Sequence, residues 1–238
     1  MPPLEHGVIG DWLLRAADGF TGRANSVLVQ GDPGVPLARA FEQVEGWYAD
    51  RSLPPLAQLA GPSGFDPGAT PAGAVAAERG WRFFGRVLVM TAASAVVADA
   101  PMRPNTAVAV LPEPDESWWS VAAPRSVEHR ETYTATLNRI GAAAHLLAFR
   151  QEDFPTPSSA GRLAFAPGWA GVFDLHVLPD RRRDGLGRAL VVEGARAVHD
   201  AGIPSMYLQV SADNHAAVEL YRGLGFDTHH EYVYGRRD

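Results

Sequence analysis

The 238-residue sequence contains neither cysteine nor lysine. Without cysteine, the chain can form no disulfide and no thiolate metal site, and it cannot carry an acyl group as an enzyme-bound cysteine thioester. Its 21 basic residues are therefore all arginine. Because alanine, glycine and proline are also abundant, we interpret the arginine bias as that of a GC-rich genome and not as a functional signal.

Long apolar runs are missing as well. The stretch VLVMTAASAVVADA at 87–100 is too short to span a membrane and is interrupted by Asp99. The N-terminus has no basic start followed by an apolar run, so no secretory signal is expected and the cytoplasm is the predicted location. The formal net charge of -6 argues against a general nucleic-acid binder, whose surface would be basic. We therefore expect neither a membrane nor a nucleic acid as partner.

The remaining composition, with 46% hydrophobic and 20% charged residues, is that of a globular protein with one or two domains. The best candidate boundary is the stretch LPEPDESWWSVAAP at 111–124, which is rich in proline and acidic residues. We predict an N-terminal domain at 1–115 and a second domain at 116–238.

Each side of this boundary shows the same order of sequence patterns. In the second half, a strand at 171–179 is followed by a helix, a strand, a second helix and a final strand. In the first half, a helix at 36–54 precedes a strand at 54–60, a helix at 72–81 and a strand at 82–92. This order predicts a weak internal repeat with an offset of about 143 to 151 residues. The alternative is two unrelated αβ units.

The turn after the strand at 171–179 has the sequence RRRDGLGRAL at 181–190. Glycines at a strand-to-helix turn leave backbone amides open to an anion, which the helix dipole also favours. A Walker phosphate loop is excluded because Arg188 follows Gly187, and a dinucleotide fingerprint is excluded because Leu190 stands where a small residue is needed. On these ten residues alone, a tight turn with solvated arginines remains the simplest interpretation.

Two separated motifs change that interpretation. Residues 182–187 match the pattern Gln/Arg-x-x-Gly-x-Gly/Ala, and YLQVSADNHAAVELYRGLGF at 207–226 follows at the expected distance. Together they resemble the coenzyme A core of the GNAT acetyltransferase superfamily, over about residues 125–238. The resemblance implies an α/β (α+β) fold with a mixed, mostly antiparallel sheet flanked by helices. It also implies acetyl-CoA as cosubstrate and no metal.

The resemblance further implies where acetyl-CoA would bind. Gly185 and Gly187 would open the helix start to the diphosphate, with the arginines as additional contacts. The strand that ends at Val177 would be splayed from its neighbour, so that its backbone pairs with the pantetheine arm. The predicted cofactor-binding residues are Leu175, Val177, Arg182, Arg183, Asp184, Gly185, Leu186, Gly187, Arg188 and Asn214. For Asn214, capping of the following helix is an equally good interpretation.

Tyr221 is the predicted catalytic residue. It lies seven residues after Asn214 and hence on the same helix face. In similar enzymes a tyrosine at this position protonates the leaving thiolate, which a phenol with a pKa of about 10 can do at neutral pH. The alternative is a half-buried tyrosine that packs under the final strand.

The sequence does not assign a general base. The positions where relatives often carry one are occupied here by Gly171 and Phe173, and strand alternation places Asp174 and His176 on the opposite face. Gln209 stands where some relatives have glutamate, and a glutamine cannot accept a proton at neutral pH. The candidates that remain are Asp174, His176 and His230.

The whole chain resembles actinobacterial tandem-GNAT proteins of the N-acetylglutamate-synthase-like type, which have a degenerate GNAT-like N-terminal half. The residues that carry this resemblance are LLRAADGFTGRANSV at 13–27, GDPG at 31–34, YLQV at 207–210, LYRGLGF at 220–226 and HHEY at 229–232. Because the first half lacks a Gly-x-Gly motif, we expect it to pack against the second half and to form one wall of the acceptor pocket. Arg15, Arg23 and Asn25 are expected on its strands, with a solvated sheet face as the favoured interpretation.

These features predict an acetyl-CoA-dependent N-acetyltransferase that acts on a primary amine of a small molecule. The resemblance implies the α-amine of L-glutamate. Its carboxylates would require an arginine fork, for which Arg15, Arg23, Arg150 and Arg162 are available. The alternatives are another small amine, a protein amine, or a non-catalytic acyl-CoA-binding module, and a homodimer is left open.

Overall fold

The computed structural model describes residues 2–237, in which eleven strands form one continuous sheet. The strands are β1 (Glu5–Ile9), β2 (Trp12–Ala16), β3 (Val27–Val29), β4 (Leu56–Gly61), β5 (Arg82–Ala93), β6 (Thr106–Leu111), β7 (Ala143–Arg150), β8 (Ser159–Ala166), β9 (Trp169–Val177), β10 (Ser205–Ser211) and β11 (Asp227–Arg236). The helices are α1 (Leu37–Ala49), α2 (Pro71–Glu78), α3 (Ser94–Ala98), α4 (Glu116–Val121), α5 (Pro124–Glu128), α6 (Arg130–Leu137), α7 (Leu186–Asp200) and α8 (His215–Arg222). Within residues 2–237, none of the helices has the length and apolar character needed to cross a membrane.

The strand order is β1-β2-β3-β4-β11-β5-β10-β9-β8-β7-β6. Strands of each half therefore pair with strands of the other half. β11 lies antiparallel to β4, β5 lies antiparallel to β10, and β5 and β11 pair with each other. The two halves thus share one sheet, which β5 and β11 join, while the boundary at 115 and 116 stays a prediction.

Each half contains the same β-α-β unit. β3 and β4 are parallel and are joined through α1, and β9 and β10 are parallel and are joined through α7. α1 forms because Phe41, Val44 and Tyr48 recur at helical spacing and are buried. The predicted order of helices and strands is therefore confirmed in both halves. That the first half is a degenerate GNAT unit stays a prediction.

Helices cover both faces of the sheet in the second half. Leu146 of β7 belongs to the core beneath α7, which also contains Leu190 and Val191. Its neighbour Leu147 belongs to a second core with Trp118 of α4 and Tyr133 of α6. Because successive strand residues face opposite sides, α7 and the group α4–α6 lie on opposite faces of the sheet.

The acidic, proline-rich stretch at 111–124 packs onto the sheet as α4. Asp115 caps this helix by accepting a hydrogen bond from the Trp118 N–H at 2.9 Å, and both Trp118 and Trp119 are buried. The Trp118 indole donates to the Gly161 carbonyl oxygen at 3.0 Å, which ties the helix to β8. The composition concealed this helix because proline and acidic residues surround a pair of tryptophans.

Of the three polar residues expected on strands of the first half, only Arg15 lies on one, β2. Arg23 and Asn25 lie in the loop 17–26 that joins β2 to β3. The side chain of Asn25 is buried and makes four hydrogen bonds to the backbone of this loop. The strand prediction was wrong for these two residues because an asparagine that satisfies nearby backbone groups favours a turn.

Candidate active site

The parallel strands β9 and β10 pair for only part of their length. Their pairing ends at Val172 and Leu208, and beyond these residues the strands separate. The predicted splay of the strand that ends at Val177 is therefore confirmed. The separation leaves the edge of β9 without a strand partner on this side, so its backbone can bond an extended ligand.

A β-bulge at Asp174 accompanies the separation. On β8, Ala160 faces His176 and Arg162 faces Phe173, so that two residues of β9 oppose Gly161 alone. Asp174 has a φ of 53°, a conformation that is strained for a residue other than glycine. The bulge shifts the strand by one residue, and simple alternation therefore no longer decides which face Asp174 occupies.

The gap between the separated strands opens into a cavity of about 330 Å³. Its walls come from β9, β10, α8 and the loop 17–26 of the first half. Three predicted site residues, Leu175, Asn214 and Tyr221, lie in this wall together with Asp174. Thr21 and Arg23 complete it from the first half, which therefore contributes one wall of the cavity.

A wider depression of about 700 Å³ lies beside β1, β2 and the end of α1. Glu5, Asp18, Asp50 and Arg51 are in its wall, but none of the predicted site residues is. We therefore place the candidate site at the gap between β9 and β10.

The start of α7 lies beside this gap. Gly185 adopts a left-handed conformation with a φ of 84°, and its carbonyl accepts the first helical hydrogen bond, from the Ala189 N–H. The N–H groups before Ala189 therefore precede the helical bonding pattern and remain available to an anion. A Cβ at Gly187 would lie 3.5 Å from a methyl of Leu175 and 3.6 Å from one of Val177. The open helix start is thus packed directly against the exposed part of β9.

The arginines around this turn have different environments. Arg182 and Arg183 are exposed, whereas Arg188 donates from Nε to the Pro101 carbonyl oxygen at 2.7 Å. Arg103 lies against Gly185, since a Cβ there would be 2.8 Å from the Arg103 Cδ. Arg103 is exposed and was missed because it lies about 80 residues before the motif and has no pattern of its own.

The other residues predicted to bind the cofactor lie at the turn into α7 and at the start of α8. The side chain of Leu186 is buried in the core, so only its backbone faces the turn. Asp184 is half-buried in the turn before α7. Asn214 is the N-cap of α8 and accepts a hydrogen bond from the Ala217 N–H at 3.2 Å while it also lines the cavity. The capping interpretation of Asn214 is confirmed, and its contact with a cofactor stays a prediction.

Tyr221 is 7% exposed, and its ring contacts Phe226 edge-on with ring centroids 6.0 Å apart. Burial raises the pKa of Tyr221 to about 12. The hydroxyl is therefore protonated at neutral pH, which is the form that a general acid needs.

The three candidate bases differ in position. Asp174 lines the cavity, and its Oδ2 accepts hydrogen bonds from the Tyr133 hydroxyl at 2.6 Å and from Arg162 Nε at 2.9 Å. His176 Nδ1 lies 2.9 Å from the Val121 carbonyl oxygen, and His230 contacts His229. Neither histidine is in the cavity wall. Because of the bulge, the alternation used to place Asp174 does not hold at this residue, and its carboxylate bonds Tyr133 and Arg162.

Gln209 also lines the cavity. Its Oε1 accepts a hydrogen bond from the Tyr232 hydroxyl at 3.0 Å, which fixes the orientation of the amide. Within residues 2–237, no group of three or more histidine, aspartate or glutamate side chains could hold a metal ion.

Two solved structures share this fold. A GCN5-related N-acetyltransferase from Kribbella flavida matches 98% of this chain and 89% of its own, with a TM-score of 0.73 and 18% sequence identity. A tandem GNAT protein from the clavulanic acid biosynthesis pathway matches 88% of this chain and 74% of its own, with a TM-score of 0.65 and 16% identity. At these identities the likeness shows the fold, which is the predicted GNAT fold.

Sequence relatives carry a more specific name. The mycothiol acetyltransferase of Catenulispora acidiphila is 32% identical over 176 residues, which are 67% of this chain and 56% of that protein. The mycothiol acetyltransferase of an Arthrobacter species is 31% identical over 157 residues, 58% of this chain and 47% of that protein. The chain thus spans about half the length of these two relatives.

The chain has the GNAT fold, and the relatives that match it in sequence are named mycothiol acetyltransferase. Among proteins of this fold, the chain belongs to the family described as "Probable histone acetyltransferase Rv0428c C-terminal", whose model matches residues 1–235. Neither this family nor the two relatives are named for glutamate, so the N-acetylglutamate-synthase-like type stays a prediction.

Proposed function

We propose that the chain transfers the acetyl group of acetyl-CoA to a primary amine of a small molecule. The observation that carries the proposal is that the separated strands and Tyr221 line one cavity, while the start of α7 packs against Leu175 in the wall of that cavity. Relatives named mycothiol acetyltransferase support a small-molecule acceptor. The α-amine of L-glutamate remains one acceptor to be tested.

The donor would be held mainly by backbone groups. The N–H groups of Leu186, Gly187 and Arg188 point out of the first turn of α7 and fit a diphosphate. Arg103, Arg182 and Arg183 are exposed beside this turn and can add charged contacts. The exposed edge of β9 at Leu175 and Val177 would pair with the amides of the pantetheine arm.

With no cysteine to carry the acetyl group, we propose direct transfer. The neutral amine attacks the thioester carbonyl carbon, a C–N bond forms, and the C–S bond breaks with its electron pair left on sulfur. Tyr221 donates its hydroxyl proton to that sulfur and is reprotonated from water. Asp174 accepts the proton that the amine nitrogen loses and returns it to solvent. We choose Asp174 because it is the one candidate base in the cavity wall.

The acceptor is tested with a panel of amines. Glutamate, other amino acids, spermidine, an aminoglycoside and a lysine peptide are each incubated with acetyl-CoA, and thiol release is measured. Calorimetric titration with acetyl-CoA runs alongside. We expect micromolar or tighter binding and thiol release with at least one small amine. Binding without release on every amine would instead support a non-catalytic acyl-CoA-binding module.

The high pKa of Tyr221 predicts that kcat stays constant further into the alkaline range than it would with an ordinary tyrosine. Because Tyr221 stays protonated up to a pH of about 12, kcat should not fall in the alkaline range that ordinary tyrosines titrate in. With an acceptor whose amine is already neutral, we expect a flat kcat between about pH 9 and about pH 10.5, where a tyrosine with an ordinary pKa would lose about fourfold. The measurement is a pH–rate profile corrected for uncatalysed hydrolysis. A fourfold decline over this range would contradict the role or the environment of Tyr221.

A further inference from the structure

Arg162 is a deeply buried charge. Its side chain is 1% exposed on β8, and its guanidinium carbon lies 4.7 Å from the centre of the Phe173 ring. An arginine side chain stays protonated in proteins, so burial does not neutralise it. A buried guanidinium must therefore be compensated by hydrogen bonds and opposite charge.

Only one nitrogen of Arg162 is compensated. Nε donates to Asp174 Oδ2 at 2.9 Å and lies 3.1 Å from the Tyr133 hydroxyl. Nη1 and Nη2 are buried and have no hydrogen-bond partner among residues 2–237. Buried donors of a charged group that lack partners are strongly unfavourable, so Nη1 and Nη2 require partners other than the described residues.

A second cavity of about 240 Å³ adjoins this guanidinium. Arg162, Phe173 and Tyr207 are in its wall, the exposed Arg139 lies in its wall as well, and none of its nine lining residues is acidic. Phe173 also lines the cavity that contains Tyr221 and Asp174, so the two cavities meet at this ring. The second cavity is therefore positively charged and lies next to the proposed reaction centre.

The neighbouring titratable side chains supply no further negative charge. Burial, together with the charge of Arg162, lowers the pKa of His145 to about 4, so this histidine is neutral at neutral pH. Burial raises the pKa of Tyr207, which is therefore protonated. Among residues 2–237, the Nη groups of Arg162 are thus left without an anionic partner.

We propose that Nη1 and Nη2 of Arg162 bind a carboxylate of the acceptor, which is therefore an amine that carries a carboxylate close to the reacting nitrogen. Two adjacent N–H groups on a planar guanidinium match the two oxygens of a carboxylate. The bond from Nε to Asp174 fixes the plane of the guanidinium, and it holds the carboxylate that accepts the proton of the reacting nitrogen in the proposed transfer. This inference rests on the proposed acetyltransferase activity.

The test compares an amino acid with its α-carboxamide, which has the same side chain and a neutral group in place of the carboxylate. Rates are expressed per neutral amine, because the two amines differ in pKa. For the best amino-acid acceptor of the panel, the unaltered protein should prefer the carboxylate by about tenfold or more in kcat/KM, as expected for a charge-assisted bidentate bond. Most of this preference should appear in KM.

Arg162→Lys keeps a cation beside Asp174 but replaces the planar fork by a point charge. We expect this variant to bind acetyl-CoA as the unaltered protein does and to lose the carboxylate preference, measured as the ratio of kcat/KM for the amino acid to kcat/KM for its carboxamide. Arg39→Lys is the matched control, since Arg39 is exposed on α1 and its side chain pairs with Glu42 of the same helix. It should retain the preference in full.

A second variant covers the case that Arg162→Lys does not fold. Ala164 is half-buried in the wall of the second cavity, two residues along β8 from Arg162. Ala164→Glu should place a carboxylate of the chain against the guanidinium and abolish the same preference. If the preference survives in either folded variant, or if the unaltered protein shows none, the assignment of Arg162 is overturned while the acetyltransferase proposal stands. Acetyl-CoA binding without turnover of any amine would instead remove the acetyltransferase proposal itself.

Discussion

Gly187→Glu is expected to lower the affinity for acetyl-CoA by about a hundredfold or more, because two like charges about 4 Å apart near a protein surface repel by about 4 kcal/mol. The new carboxylate would stand at the open start of α7, where the diphosphate approaches. The fold should tolerate the change. A Cβ at this position meets Leu175, Leu220 and Val177 at 3.5 to 3.6 Å, which is ordinary contact, and a negative charge in the first helical turn is favourable.

The matched control is Gly46→Glu. Gly46 is an exposed glycine of α1, and a Cβ there would have no atom within 4 Å. Calorimetric titration with acetyl-CoA and thermal unfolding are measured for both variants. We expect both to unfold near the temperature of the unaltered protein and only Gly187→Glu to lose binding. Normal binding by Gly187→Glu would remove the assignment of residues 182–188 to the diphosphate.

Tyr221→Phe should leave acetyl-CoA binding unchanged and lower kcat by about a hundredfold or more, the typical contribution of a positioned general acid. The ring and its contact with Phe226 remain, and only the hydroxyl that would protonate the thiolate is lost. The measurement is single-turnover acetylation with the best acceptor of the panel. It separates the chemical step from product release.

Tyr48→Phe is the control for loss of a buried tyrosine hydroxyl. The Tyr48 hydroxyl donates to the Arg15 carbonyl oxygen at 2.9 Å in the first half. Its removal should lower the free energy of unfolding by about 1 kcal/mol and leave the rate unchanged. Equal rates for Tyr221→Phe and the unaltered protein would mean that water, and not Tyr221, protonates the leaving group.

The spacing of apolar residues along the sequence predicted the helices α1 and α7 correctly. The buried residues Phe41, Val44 and Tyr48 of α1 and the apolar face of α7 were read correctly from their spacing. The two glycines at the start of α7 and the separation of β9 from β10 were predicted from two motifs, whose order and spacing agree with those of a known family. These features were predictable because the residues that determine them are close in sequence.

Other features depend on residues that are far apart in sequence. The bulge at Asp174 depends on the register of β8 against β9, which alternation along β9 alone does not reveal. The uncompensated donors of Arg162 become visible only when every neighbouring side chain is placed. The position of Arg103 beside Gly185 likewise follows from the path of the chain and from no motif.

The pairing of β5 and β11 across the two halves has a consequence for the unfolding of the protein. Without β5, the second half would present the edges of β10 and β11 as open templates for pairing with another chain, and the first half would have the same defect beside β4. Neither half can therefore melt by itself, and we expect a single cooperative unfolding transition. Arg82 pairs with Arg236, which lies 154 residues later in the sequence, so assembly must wait for the last strand to be available. Because the two halves share one sheet, the loop 17–26 near the start of the chain and Tyr221 near its end form parts of the same cavity wall.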